Sequence, residues 1–288
     1  MEPVLRPARP DDKAAIARFT RDTFSWGDYV GERLDEWLAA PDSMTVVAEA
    51  GGEAVAIARG ALLSPTEAWS QGLRVHPDHR RRGLGTALLE HLATWAGAAG
   101  ARVMRLSAET GNGPALSLFP GLGFRPVGDW LEAERPVASG KPVPGGNGGK
   151  RGPAPERLTP APPFEADAAM LAWAGGPLER AAHGLFTAHW SCRRLTADDL
   201  QAAGRRGALW QARSGWAIAE NDQGILRVPW SCTFTENARV FLRALMDLAA
   251  DAETERIEMP VPEVDWLRAA LEQAGWELFP LRVYARPL

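Results

Sequence analysis

Residues Val137 to Pro163 read VASGKPVPGGNGGKRGPAPERLTPAPP, with six glycines, seven prolines and almost no large apolar side chain. Such a stretch cannot bury enough apolar surface to offset the entropy lost on ordering, so a linker or surface-hugging strap is expected. It divides the 288-residue chain into residues 1–136 and 164–288, each of a size that supports its own core. Hydrophobic residues make up 45% of the chain, as in a globular protein. The net charge, 32 − 36 = −4, argues against a general nucleic-acid binder or a binder of anionic membranes. Two cysteines, Cys192 and Cys232, cannot form a disulfide scaffold, and with His189 they lack the paired spacing of a zinc site, so no metal is expected. No apolar run reaches the roughly 18 residues that span a bilayer, and the first residues lack the apolar core of a signal peptide. By exclusion, the expected location is the cytoplasm.

In the front half, strand-like and helix-like patterns alternate. Val4–Arg6, Thr45–Ala50, Ala54–Leu62, Trp69–Val75 and Arg102–Ala108 read as strands, with Gly51-Gly52 as a hairpin turn. Ala14–Arg21, Glu32–Ala39, Gly85–Ala98 and Pro114–Leu122 read as helices, and Phe124–Trp130 and Leu131–Arg135 as two closing strands. This order predicts an α/β (α+β) sheet domain.

The most informative stretch is Leu73-Arg74-Val75-His76-Pro77-Asp78-His79-Arg80-Arg81-Arg82-Gly83-Leu84-Gly85-Thr86. A strand ends, a short polar loop follows, and an amphipathic helix starts at once. The unpaired N–H groups of such a helix start point at whatever lies over the loop, and glycine lets the backbone come close. The expected guest is a phosphate or pyrophosphate. No Gly-Lys-Ser/Thr is present, and no third glycine follows at dinucleotide-fold spacing, which excludes two better-known phosphate loops.

Arg80-x-x-Gly83-x-Gly85 resembles the acetyl-CoA pyrophosphate loop of the GNAT (Gcn5-related) N-acetyltransferases. Asn112-x-x-Ala115-Leu116-x-Leu118-Phe119-x-x-x-Gly123-Phe124 is similar to that family's next helix, and Leu5-Arg6-Pro7-Ala8-x-x-Asp11 to its first strand and helix entry. The resemblance implies that the main chain of Leu73, Arg74 and Val75 pairs with the pantetheine arm. It further implies that Arg80, Arg81, Arg82, Gly83, Leu84, Gly85 and Thr86 hold the pyrophosphate or 3′-phosphate, and that Asn112 lies near the pantetheine or adenine. Glu67 falls where many members keep a strand-borne base acting through water. The usual tyrosine acid falls on Phe119, which has no proton to give, leaving Ser117 or solvent to assist the departing thiolate. The acceptor loop corresponds to Phe24–Tyr29, with Trp26, Asp28 and Tyr29 as substrate contacts and Trp69 and Trp130 as walls. The implied activity is transfer of an acetyl group from acetyl-CoA to a primary amine, of a small molecule or a peptide, by direct attack in a ternary complex. The loss of the tyrosine also fits a non-catalytic acetyl-CoA-binding regulator. A homodimer is compatible with either.

The second half repeats the first in outline. Leu226-Arg227-Val228 echoes Leu73-Arg74-Val75, and Ala238–Leu245 echoes Gly85–Leu92, both at a shift of 153. On that alignment Thr233, Glu236 and Ala238 replace Arg80, Gly83 and Gly85, and a carboxylate beside a pyrophosphate would repel it. A degenerate GNAT-like domain without its phosphate loop is therefore expected.

Overall fold

The computed structural model describes residues 3–23, 27–137, 156–188 and 190–288. Gly51 and Gly52 both adopt positive φ, which only glycine does at little cost, and they turn one strand back on the next. From there the front half builds β1 (Val4–Pro7), α1 (Lys13–Thr20), α2 (Val30–Ala39), β2 (Ser43–Ala50), β3 (Glu53–Ser64), β4 (Glu67–Val75), α3 (Leu84–Ala98), β5 (Val103–Glu109), α4 (Gly113–Leu118) and β6 (Arg125–Pro136). The strand order is β1-β2-β3-β4-β5; only the β4–β5 pair is parallel.

Period-two alternation assigns the faces. Ala56 and Ala58 meet Leu88, Leu89 and Leu92 of α3, whereas Ile57 packs with Ile16, Leu34 and Trp37 from α1 and α2. Each fully buried leucine of α3 contributes about 1.5–3 kcal/mol, so burial rather than propensity fixes the helix. Among the described residues no helix is long and apolar enough to cross a membrane.

The second half builds β7 (Thr159–Pro160), α5 (Ala166–Trp173), α6 (Pro177–Ala182), β8 (Leu185–Ala188), β9 (Ser191–Arg194), α7 (Ala197–Arg205), β10 (Leu209–Ala212), β11 (Gly215–Asp222), β12 (Ile225–Thr233), α8 (Ala238–Asp251), β13 (Arg256–Pro262), α9 (Asp265–Gln273) and β14 (Glu277–Pro287). Its order, β7-β10-β11-β12-β13, repeats that of β1 to β5, again with one parallel pair, β12–β13; β8 and β9 form a separate hairpin.

Contacts divide the chain into Met1–Val127 with Val283–Leu288, and Gly128–Arg282. Each unit thus takes its last strand residues from the other half of the sequence. In the second unit Trp130–Pro136 pair antiparallel with β13. In the first, the Leu288 N–H donates to the Arg102 carbonyl, and Arg286 pairs with Glu90 at 2.9 Å.

Three sequence expectations change here. Most of the Gly/Pro segment lies outside the described residues, but its end is structured: Leu158 and Ala161 are buried, and Thr159–Pro160 pairs with β10. The two expected closing strands are one, β6, because nothing breaks the chain between Trp130 and Leu131. The repeat is offset as well. β4 starts its parallel pairing at Glu67 and β12 at Ile225, so Leu226-Arg227-Val228 opens its strand whereas Leu73-Arg74-Val75 closes one.

Candidate active site

β4 pairs with β5 only over Glu67–Trp69, opposite Val103–Arg105, although both strands continue. Beyond Trp69 the two separate, and among the described residues no β5 residue pairs with the edge of β4 that faces the gap. Within the gap β4 carries a bulge: Ile57 faces Arg74 but Arg59 faces Gln71, so three steps on β4 span two on β3. The extra residue falls at Gly72–Leu73. Gly72 has φ +68°, and a Cβ there would overlap Cη2 of the Trp37 indole. The bulge is locked from outside β4, by a buried side chain of α2.

At the end of the gap lies the glycine loop. Gly83 is the N-cap of α3 in the left-handed conformation, with open space where a Cβ would sit. No side chain caps α3, and the first intrahelical bond runs from the Ala87 N–H to the Gly83 carbonyl. The N–H groups of Leu84, Gly85 and Thr86 therefore have no helical acceptor. Arg81 also holds a positive φ, 60°, a conformation costly for a residue with a side chain and common where a loop is shaped for a ligand. Arg80, Arg81, Arg82 and Gly83 are exposed, and Arg80 Nε donates to the Val75 carbonyl at 3.3 Å. A Cβ on Gly85 would press on Leu118 at 3.2 Å, so this glycine also permits α3 and α4 to approach. Uncapped amides, a bare strand edge and exposed guanidinium groups together suit a pyrophosphate with an extended arm, the shape of coenzyme A.

The remaining expected residues are placed as follows. Asn112 caps α4, its Oδ1 accepting from the Ala115 N–H at 3.3 Å. Ser117 is exposed, and its hydroxyl donates to the Gly113 carbonyl at 2.8 Å, so that proton is already engaged. Phe119 is buried, its ring meeting that of Tyr284 edge-on with centroids 5.1 Å apart. Glu67 is strand-borne and buried, its carboxylate 2.6 Å from Arg105 Nη1 and accepting from Ser64 Oγ at 3.3 Å. It lies at the closed end of the gap, roughly 16 Å along the strand from Gly72. Its place suits a tie between β4 and β5 better than proton abstraction beside the bulge. Asp28, expected as a substrate contact, has its carboxylate fully shielded. It pairs with Arg74 at 2.5 Å and accepts from the Val30 N–H at 2.9 Å. Tyr29 lies edge-on to Trp37 and under the Arg74 guanidinium, with 37% of its surface open. Trp69 is buried, Trp130 is buried in the second unit, and Trp26 lies outside the described residues. Trp37 and Arg59 were missed: both read as ordinary amphipathic positions, and only the fold brings them to the bulge.

The second unit repeats the splay and the bulge: β12 and β13 pair only over Ile225–Arg227, and three steps on β12 span two on β11, but among the described residues it has no glycine loop at the end of the gap. Past the β12–β13 pairing the Pro229 carbonyl accepts from Thr187 Oγ1 of β8 at 3.0 Å. Eight residues, His76–Gly83, separate β4 from α3, but only four, Phe234–Asn237, separate β12 from α8. The phosphate loop is shortened there, beyond the replacement of its glycines.

The sequence profile of the acetyltransferase (GNAT) family matches residues 13–124, which contain the bulge, the glycine loop and α4. Residues 13–124 are a GNAT acetyltransferase domain. A mycothiol acetyltransferase of Frankia casuarinae is 35% identical over 157 residues, 54% of this chain and 41% of that protein. The chain thus spans less than half of that relative's length. Over the whole chain the fold is shared with a GCN5-related N-acetyltransferase from Sphaerobacter thermophilus, with TM-score 0.68, 17% identity and coverage of 99% of this chain and 95% of that one. It is also shared with a tandem GNAT protein from the clavulanic acid biosynthesis pathway, with TM-score 0.55, 16% identity and coverage of 99% and 98%. The second unit therefore carries a GNAT-like fold that lacks the glycine loop of the first.

Proposed function

We propose that the first unit transfers the acetyl group of acetyl-CoA to a primary amine, and that the second unit does not bind the coenzyme. The reading is carried by one observation: an uncapped α3 behind a left-handed Gly83, at the end of a bare strand edge. The amides of Leu84 to Thr86 would hold the pyrophosphate, and the edge of β4 through Leu73 to Val75 would pair with the pantetheine. The bulge would aim a main-chain N–H at the thioester carbonyl, where negative charge develops.

The acceptor nitrogen attacks the carbonyl carbon, the C–S bond breaks, the thiolate leaves, and the nitrogen gives its proton to water in the gap. A thiol of pKa about 8.5 lies near 1.5 units above neutral pH, so unaided departure costs only about 2 kcal/mol. A phenol stands beside Phe119 on Tyr284, with ring centroids 5.1 Å apart, and would protonate the departing thiolate. With Glu67 as a strut, Glu67→Gln lowers stability but leaves the rise of rate with pH intact; a flattened rise would return the base role to Glu67.

The test is acceptor-dependent release of coenzyme A thiol across a panel of amines. Gly83→Asp places a bulky negative group at the pyrophosphate and should abolish both turnover and coenzyme-induced thermal stabilisation; Glu236→Gly should change neither. Stabilisation by acetyl-CoA without any acceptor-dependent thiol release would instead identify a non-catalytic binder.

A further inference from the structure

The face of the first unit's sheet that carries α1 and α2 also carries three arginines close to the gap, and among the described residues only two have carboxylates of their own. Arg74 pairs with Asp28 at 2.5 Å and Arg105 with Glu67 at 2.6 Å. The third, Arg59, stands on β3 directly opposite Gln71, the residue before the bulge glycine. Its guanidinium carbon lies 5.7 Å from the centroid of the Trp37 ring, the same indole that packs on Gly72. Its Nε is buried and finds no hydrogen-bond partner among the described residues. The acid that acts on it most is Glu36, which is itself paired with Arg33 at 3.1 Å. Burial disfavours the charge, pulling the guanidinium below its ordinary value, while Glu36 and Tyr29 favour it and Arg33 opposes it. Phe24, Ser25 and Trp26, the loop residues outside the described set, include no acid.

A buried donor left unmade is costly, and such a group is kept where a ligand completes it. We propose that Arg59 receives a carboxylate of the acceptor, so that the amine acetylated by the first unit is an amino acid. This rests on the acetyl-transfer reading of the same site. Planar guanidinium geometry favours a two-oxygen anion, and Trp37 holds the fork against the wall of the bulge. A polyamine or an aminoglycoside would bring further positive charge to a cation lacking its own counter-ion, and a protein N-terminus has no carboxylate at that spacing.

The experiment measures thiol release from acetyl-CoA with a set of L-amino acids, each against its own carboxamide. For the unmodified chain the acid should exceed its amide by at least about tenfold in kcat/KM, corresponding to one charge-assisted pair. In Arg59→Gln that ratio should collapse toward one, mainly through KM for the acid, and Arg59→Lys should restore part of it. Equal use of acid and amide by the unmodified chain, or a ratio unmoved in Arg59→Gln, overturns the carboxylate assignment while transfer stands. If no amine releases thiol, the transfer reading fails separately. Calorimetry with N-acetyl-L-amino acids and their amides in the presence of coenzyme A then decides the assignment: a preference for acids that Arg59→Gln removes sustains it, and no preference overturns it.

Discussion

Gly83 and Gly72 serve the same cleft, yet only one is recognisable in the sequence. Gly83 belongs to a local pattern, a strand followed by a polar loop and an amphipathic helix, and its left-handed conformation is what such a loop needs. Gly72 is required by Trp37, a residue 35 positions earlier that reaches the bulge only through the packing of α2 on the sheet. No local pattern announces that need. Gly72→Ala would combine a left-handed Cβ with an indole that cannot move away from a close-packed core. The expected loss is roughly 2–4 kcal/mol of stability, together with acetyl-CoA affinity. Urea denaturation and coenzyme titration would measure the two; a loss below about 0.5 kcal/mol would mean that the bulge is not locked by Trp37. Asp28 illustrates the converse. Its charge was legible, but whether it faced an acceptor or an arginine depended on β4, 46 residues away.

Among the elements, β6 carries the sharpest electrostatic conflict. Glu134 faces Glu258 across the β6–β13 pair, and Glu132 sits two residues away on the same face. Burial first, then Glu258 and Glu134, push the Glu132 carboxyl up to about 8 from an ordinary 4.5, with Arg227 opposing. Between those two values the folded chain holds a proton that the unfolded chain has released. Stability from this group is therefore fully present below about pH 4.5 and declines as pH rises toward 8, by up to about 1.4 kcal/mol per unit. Glu132→Gln keeps a neutral side chain at every pH. It should raise the thermal midpoint of the second unit at pH 8 and leave it nearly unchanged at pH 4.5, as scanning calorimetry would show. An equal effect at both pH values would place the cost in packing rather than in charge. The alternation of strands and helices was legible in the sequence because period 2 and period 3.6 are local. The repeat register was not: a Leu-Arg-Val triplet is too short to fix an offset, and strand pairing decides it.

For the whole molecule, the exchange of final strands has the largest consequence. A chain ending at Arg282 would remove Val283 and Tyr284, 0% and 4% exposed, from the first unit's core. It would also remove the Arg286–Glu90 pair. At about 1.5–3 kcal/mol for each buried side chain, the loss reaches the lower end of the 5–15 kcal/mol that a domain commonly has. That truncation, like a fragment cut at Pro136, should lose coenzyme-induced stabilisation in a thermal assay, whereas Tyr284→Phe in the full chain should keep it and lower turnover. A truncated chain that binds coenzyme A normally would show that the strand is dispensable. Taken by itself, the sequence determined the GNAT-like pattern, the glycine loop and its absence from the second half, because these are set by residues adjacent along the chain. Only the tertiary structure decided where the bulge is locked, which arginine near it has no carboxylate among the described residues, and which strand completes which unit. Those depend on contacts between residues from 12 to nearly 200 positions apart, and their selection rests on burial and charge pairing that no local window contains.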